Sequence, residues 1–160
     1  MPQFKTGDMW TAYTAADLFL ISTNSTLKKS NHALVMGRGI ARQARDRFPG
    51  LTQALGQHIL NTCGNQGEYG LLISPHWPVA KLGAFQVKRH YSHPASLELI
   101  QCSTTALYAW CADHAALVHL NFPGVGYGRL HREAVLPIIA QLPDQVTIWE
   151  YPPAGKEYAL

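Results

Sequence analysis

The sequence predicts an α/β protein of three layers, with a mixed, mostly parallel sheet held between helices. Three observations predict it. Short apolar runs of strand character alternate with segments whose apolar residues recur at helical spacing. Two glycine clusters, Gly37-Arg38-Gly39 and Pro123-Gly124-Val125-Gly126-Tyr127-Gly128, each sit between such a run and a helix. No repeat, low-complexity tract or linker divides the 160 residues, so one domain over 1–160 is expected.

Leu18-Phe19-Leu20-Ile21 is a continuous apolar run, as in a strand buried on both faces. Ile40 to Phe48 reads as a helix that exposes Arg42, Arg45 and Arg47 and stops at Pro49-Gly50. Leu51 to Cys63 reads as a second helix, ended by Gly64. Gly70 to Ile73 and Gly83 to Val87 read as paired strands, joined through Pro75 and Pro78. Leu97, Ile100, Leu107 and Cys111 share one face of a long helix ending near His114. Leu117 to Leu120 is a strand leading straight into the second glycine cluster. Val135, Ile138, Ile139 and Leu142 fall at helical spacing, where Pro137 is awkward outside the first turn. Val146 to Tyr151 closes the pattern as a strand, before Pro152-Pro153 and a short tail.

Composition narrows the function. Hydrophobic residues make up 47% and charged residues 14%, the latter well under the usual share of roughly 25%. That excludes a disordered chain, and a net charge of +3 is too mild for the basic stripe of a dedicated DNA-binding domain. Cys63, Cys102 and Cys111 lack paired spacing and read as buried, reduced thiols. The start Met1-Pro2-Gln3-Phe4-Lys5 has no signal or transit character, and no apolar run reaches membrane-spanning length. A cytoplasmic monomer that engages no membrane is expected. His90 and His93 stand three apart without a cysteine or acid to complete a set, so no metal and no redox cofactor is expected.

The glycine clusters carry the chemistry. A small-residue turn at a helix start presents backbone N–H groups with no partner inside the helix. With the positive end of the helix dipole they attract phosphate oxygens. In a parallel sheet, ligands bind beyond the carboxyl ends of the strands, where both clusters fall.

Thr6-Gly7-Asp8-Met9, Ile21-Ser22-Thr23-Asn24, Met36 to Ala41, Lys88-Arg89-His90-Tyr91 and Gly124 to Leu130 together resemble, nearly end to end, the macrodomain family, the ADP-ribose-binding fold. Thr6-Gly7-Asp8-Met9 resembles the family's opening Gly-Asp strand, and Ile21-Ser22-Thr23-Asn24 the strand that ends in a ribose-binding asparagine. Met36-Gly37-Arg38-Gly39-Ile40-Ala41 with Phe48-Pro49 is similar to the Met-Gly-Lys-Gly-Ile-Ala … Phe-Pro signature of the DarG-type branch, close to the terminal ADP-ribose protein glycohydrolases. Lys88-Arg89-His90-Tyr91 resembles that branch's Lys-Arg-His-Trp, whose lysine is catalytic. Gly124 to Leu130 resembles its second phosphate loop, Gly-Cys-Gly-x-Gly-Gly-Leu. The protein-directed glycohydrolases carry a catalytic aspartate where this chain has Gly128, and the segment Ser25 to Leu34 is longer than its family counterpart.

The resemblance implies an ADP-ribosyl glycohydrolase that removes ADP-ribose from a modified DNA base, thymidine in the first place, with Lys88 catalytic. It implies ligand contacts from Asp8, Met9 and Asn24, from Met36, Gly37, Arg38, Gly39 and Ile40, from Pro123, Gly124, Val125, Gly126, Tyr127 and Gly128, and from Tyr151, with Trp149 on the same face. A lysine acts as a nucleophile when burial or a cationic neighbour lowers its pKa, and Arg89 is the adjacent cation. Each role has an ordinary alternative. Lys88 also reads as a solvated strand end, Asp8 as a cap, Asn24 as a turn residue, and Tyr151 and Trp149 as packing residues. Two further functions stand beside the first: removal of ADP-ribose from protein Asp/Glu esters or small derivatives, and a non-catalytic ADP-ribose reader.

Overall fold

The computed structural model describes residues 1–151; the expected Pro152-Pro153 stop and tail lie outside the described residues. Six strands form one sheet: β1 (Gln3–Thr6), β2 (Leu18–Thr23), β3 (Leu71–Leu72), β4 (Leu82–Gln86), β5 (Val118–Asn121) and β6 (Val146–Glu150). Their order is β1-β6-β5-β2-β4-β3. Every pairing is parallel except β3 with β4 at one edge. The sheet is mixed and mostly parallel, as the alternating pattern predicts.

Parallel strands need cover on both faces, and the side-chain alternation of β2 shows how they get it. Leu18 and Leu20 face a core shared with α3 (Leu97–Asp113) and α4 (Arg132–Ile139). Phe19 and Ile21 face a second core shared with α1 (Gly39–Arg47) and α2 (Leu51–Thr62). All four are fully inaccessible to solvent, each contributing about 1.5–3 kcal/mol of burial. Three layers result.

Several boundaries depart from the sequence reading, each for a local reason. The opening strand ends at Thr6. Asp8 instead caps a 3₁₀ turn over Met9–Ala12, its Oδ1 accepting from Trp10 N at 3.0 Å. Pro137 is the sixth residue of α4, beyond the first turn. Its ring nitrogen cannot donate to the Glu133 carbonyl, and the helix closes two residues later. Of the three thiols only Cys111 is buried; Cys63 is half-buried and Cys102 exposed. The arginines of α1 are not a free basic patch. Arg42 and Arg45 both pair with Asp46, and the Arg47 guanidinium lies 4.3 Å above the Trp10 ring.

The long segment 25–34 folds back on itself. Leu27 and Leu34 form an isolated antiparallel bridge, and Leu34 N donates to the Thr52 carbonyl of α2 at 2.8 Å. The loop lies so close to α2 that a Cβ at Gly56 would sit 2.0 Å from the His32 carbonyl. Only glycine fits there.

Candidate active site

The carboxyl ends of β2, β4, β5 and β6 open into one cavity of about 1000 Å³, at the upper end of the roughly 300–1,000 Å³ typical of small-molecule sites. Three loops wall it: the entry to α1, the segment after β4, and the loop between β5 and α4.

The first wall is the start of α1. Its N-cap residue, Arg38, is extended and supplies no side-chain cap, so the first N–H groups of the helix have no intrahelical or side-chain acceptor. Gly39, Ile40 and Ala41, which carry them, all line the cavity, as do Met36 and Gly37. Gly37 has ordinary backbone angles, and a Cβ placed on it would meet nothing within 4 Å, so neither strain nor packing calls for glycine there.

The opposite wall is the second cluster. Gly124, Val125, Gly126, Tyr127 and Gly128 line the cavity, and the turn is fixed by Leu130 N donating to the Gly124 carbonyl and Arg129 N to the Gly126 carbonyl, both at 2.9 Å. Tyr127 reaches across to the first loop. Its ring lies 3.4 Å from where a Gly39 Cβ would be, with the Arg38 guanidinium 5.5 Å from the ring centre. The two loops thus meet over part of the opening.

Lys88 follows β4 and lines the cavity between them, half-buried. Burial, then Arg129, then Arg38 lower its pKa from the usual lysine value. Arg89, the neighbour expected to do this, turns away to an ion pair with Glu68 at 3.0 Å; the effective cations come from the two glycine loops. Beneath Lys88 lies a polar lattice that the sequence reading did not find. The fully buried Gln86 accepts from Tyr69 N and Gly70 N through Oε1, and its Nε2 donates toward Ser25 Oγ and the Gly67 and Lys88 carbonyls. The Tyr69 hydroxyl donates to the Asn24 carbonyl at 2.8 Å and is hydrogen-bonded with Thr23; burial pushes its pKa up, so it stays protonated.

Asn24 lines the cavity, but its side chain also serves the backbone: Nδ2 donates to the Val35 carbonyl at 2.9 Å and Oδ1 accepts from Thr26 N at 2.8 Å. One amide proton and one lone pair remain for a ligand. Ser22 and Asn121, also in the lining, were not singled out from sequence. The Ser22 Oγ is buried without a hydrogen-bond partner, while Asn121 Oδ1 accepts from Ser22 N at 2.8 Å. A polar residue at the end of an apolar strand, just before a glycine cluster, is the signal that marks Asn121.

At the far end Trp149 of β6 and Tyr151, just past the end of that strand, both line the cavity. The Trp149 indole donates to His119 Nδ1 at 2.8 Å, and the Tyr151 hydroxyl to Gln43 Oε1 at 3.1 Å. Asp8, Met9 and Pro123 are not in the lining. Met9 and Pro123 are buried, and Asp8 is an exposed cap; burial raises the pKa of Tyr151, and the Asp8 charge adds to that rise. Arg132 clamps Glu150 at the rim, with contacts of 2.7 to 3.2 Å. Among the described residues no cluster of three or more His, Cys, Asp or Glu side chains is placed to hold a metal.

Solved structures share this architecture across almost the whole chain. The macrodomain of Thermus aquaticus DarG aligns over 96% of this chain and 99% of its own, with a TM-score of 0.67 and 21% identity. That of Mycobacterium tuberculosis DarG gives the same coverage, a TM-score of 0.68 and 23% identity. Thermosipho africanus DarTG, solved in complex with ADP-ribose, aligns over 94% of this chain and 42% of its own, with a TM-score of 0.68 and 17% identity. No family model matches the sequence, and no curated protein matches it. The fold is that of a macrodomain.

Proposed function

We propose that this protein binds ADP-ribose in the cavity and hydrolyses the N-glycosidic bond joining it to a base in DNA, with Lys88 as the catalytic residue. The observation that carries the reading is a lysine of lowered pKa lining the same cavity as two loops of backbone amides. The ADP-ribose in the T. africanus complex supports the ligand assignment, since that protein shares the fold.

In this reading the open N-terminus of α1 and the turn at Gly124 to Gly128 hold the diphosphate from two sides. Tyr151 and Trp149 take the adenine, with Asp8 at the edge of that end, and Asn24 takes a hydroxyl of the distal ribose. The ribose is then fixed with its anomeric carbon beside the Lys88 amine. Such orientation contributes on the order of 7–11 kcal/mol in the best intramolecular cases. The free amine bonds to the anomeric carbon as the base leaves with the glycosidic electron pair and takes up a proton. Water then displaces the amine and releases ADP-ribose.

DNA is favoured over a protein ester by what the second loop lacks. By the sequence resemblance Gly128 stands where the protein-directed enzymes carry a carboxylate, and Arg38 and Arg129 give the cavity a cationic rim suited to a polyanion. The decisive experiment compares Lys88→Ala with the unaltered protein for ADP-ribose binding and for release from modified DNA and modified protein. ADP-ribose affinity should change little, while release from DNA should fall roughly 10²–10⁴-fold, the usual contribution of a positioned catalytic side chain. Release at the unaltered rate refutes the lysine assignment. An unaltered protein that binds ADP-ribose yet cleaves neither substrate is a reader instead.

A further inference from the structure

Arg129 occupies a backbone conformation that its side chain disfavours. With φ 63° and ψ 13° it is left-handed, a region glycine enters freely and a Cβ-bearing residue rarely does. Nothing about the turn itself requires arginine, because Arg129 N donating to the Gly126 carbonyl would be made equally by glycine. What the arginine adds lies at the end of its side chain. Its Nη2 donates to the Ser92 carbonyl at 2.7 Å, on the segment that begins with Lys88. That segment is closed at its base by Ser96 N donating to the Val87 carbonyl and is held to the second glycine loop by Ala95 N donating to the Gly128 carbonyl, both at 2.8 Å. The Arg129–Ser92 bond is a second tie, placed at the cavity.

We propose that Arg129 is a positioning residue, which straps the Lys88 segment to the second glycine loop and, with Arg38 on the first, surrounds the lysine amine with positive charge. The charged and titratable groups that share the cavity lining with Lys88 come from every wall. Arg129 belongs to the second loop and Arg38 to the first, where its guanidinium also lies against Tyr127. Tyr91 stands on the lysine's own segment, and Arg89 beside it is neutralised by Glu68. Across the cavity Arg132 and Glu150 neutralise each other, with Tyr151 beyond them. No carboxylate among the described residues therefore holds the amine in its ammonium form.

This arrangement meets a specific difficulty. A diphosphate entering the site brings two negative charges, which by themselves would favour the ammonium and silence the nucleophile. Two guanidiniums that never lose their protons offset that charge. Burial and both arginines act on Lys88 in the same downward direction.

The kinetic consequence rests on Lys88 acting as proposed above; the titration does not. The test follows Lys88 by NMR of ¹³C-labelled lysine side chains through a pH titration, with and without ADP-ribose, in the unaltered protein and in Arg129→Gly and Arg129→Lys. Glycine suits the left-handed backbone, so Arg129→Gly should melt no lower than the unaltered protein. Its Lys88 midpoint should rise by about half a pH unit or more, with a larger rise when ADP-ribose is bound. Arg129→Lys should keep the low midpoint while the Ser92 and His93 amides exchange faster, since the charge remains and the strap is shortened. On modified DNA, Arg129→Gly should lower kcat near neutrality about threefold or more, recovering at higher pH, while the loss of a rim cation raises KM at every pH. An Arg129→Gly protein whose Lys88 midpoint and loop amides are unmoved overturns the proposal. If the unaltered protein is inactive on every substrate but the midpoint shifts as described, the hydrolase reading fails and the role of Arg129 stands.

Discussion

The two glycine loops face one another across the cavity, yet Gly124 of the second and Gly37 of the first use glycine for opposite reasons. In the second loop the residue is demanded by the protein: Gly124 has φ 79°, and a Cβ there would lie 2.6 Å from Ile100 Cδ1 and 3.0 Å from Leu130 Cδ1. At Gly128 it would lie 3.0 Å from the Ala95 Cβ. In the first loop Gly37 meets no such demand, since it has an ordinary φ and open space before it. Gly124 is fixed by the core beneath it. Gly37 is left bare toward whatever occupies the cavity.

That contrast can be broken experimentally, most severely at Gly124. Gly124→Ala combines a left-handed alanine with a clash against a helix side chain, together about 2–4 kcal/mol of lost stability in urea unfolding. A change under about 1 kcal/mol would mean the second loop is no more tied to the core than the first. Gly37→Ala should leave urea unfolding within about 0.5 kcal/mol of the original, the usual range for a surface change. Its ADP-ribose affinity by calorimetry should nevertheless drop about tenfold, equivalent to about 1.4 kcal/mol. Unchanged affinity would remove the ligand explanation for that bare position. The smallest effect concerns pH. Because the folded protein lowers the Lys88 pKa, the native state binds fewer protons than the unfolded chain between the folded and ordinary lysine values. Stability from this group therefore rises with pH through that window, and the ionised lysine is a slight penalty below it. Unfolding of Lys88→Met followed from neutral to alkaline pH should lack this rise; an identical slope in both proteins would contradict the lowered value.

The sequence was legible where one residue type has one physical use. The run Leu18 to Ile21 reads as a strand covered on both faces, and it is one; the glycine clusters between strands and helices mark the end of the sheet where the cavity opens. It was less legible where a side chain serves two masters. Asp8 caps a turn that its short polar side chain is equally suited to make, and Asn24 spends half of its hydrogen-bonding capacity on Val35 and Thr26. Arg89 was the wrong cation because chain adjacency says nothing about which way a side chain turns, and Glu68 decides it. The Gln86 lattice left no trace at all. Its partners come from residues 25, 67, 69, 70 and 88, a set that no periodicity brings together.

One consequence of that glutamine concerns how this end of the molecule comes apart. A single side-chain amide joins the turn after β2, the strand leading to the lysine, and the connection running into β3. None of the three can open alone without stranding buried donors or acceptors of the other two. They should therefore breathe as one cooperative unit, their amides taking up deuterium at a common rate.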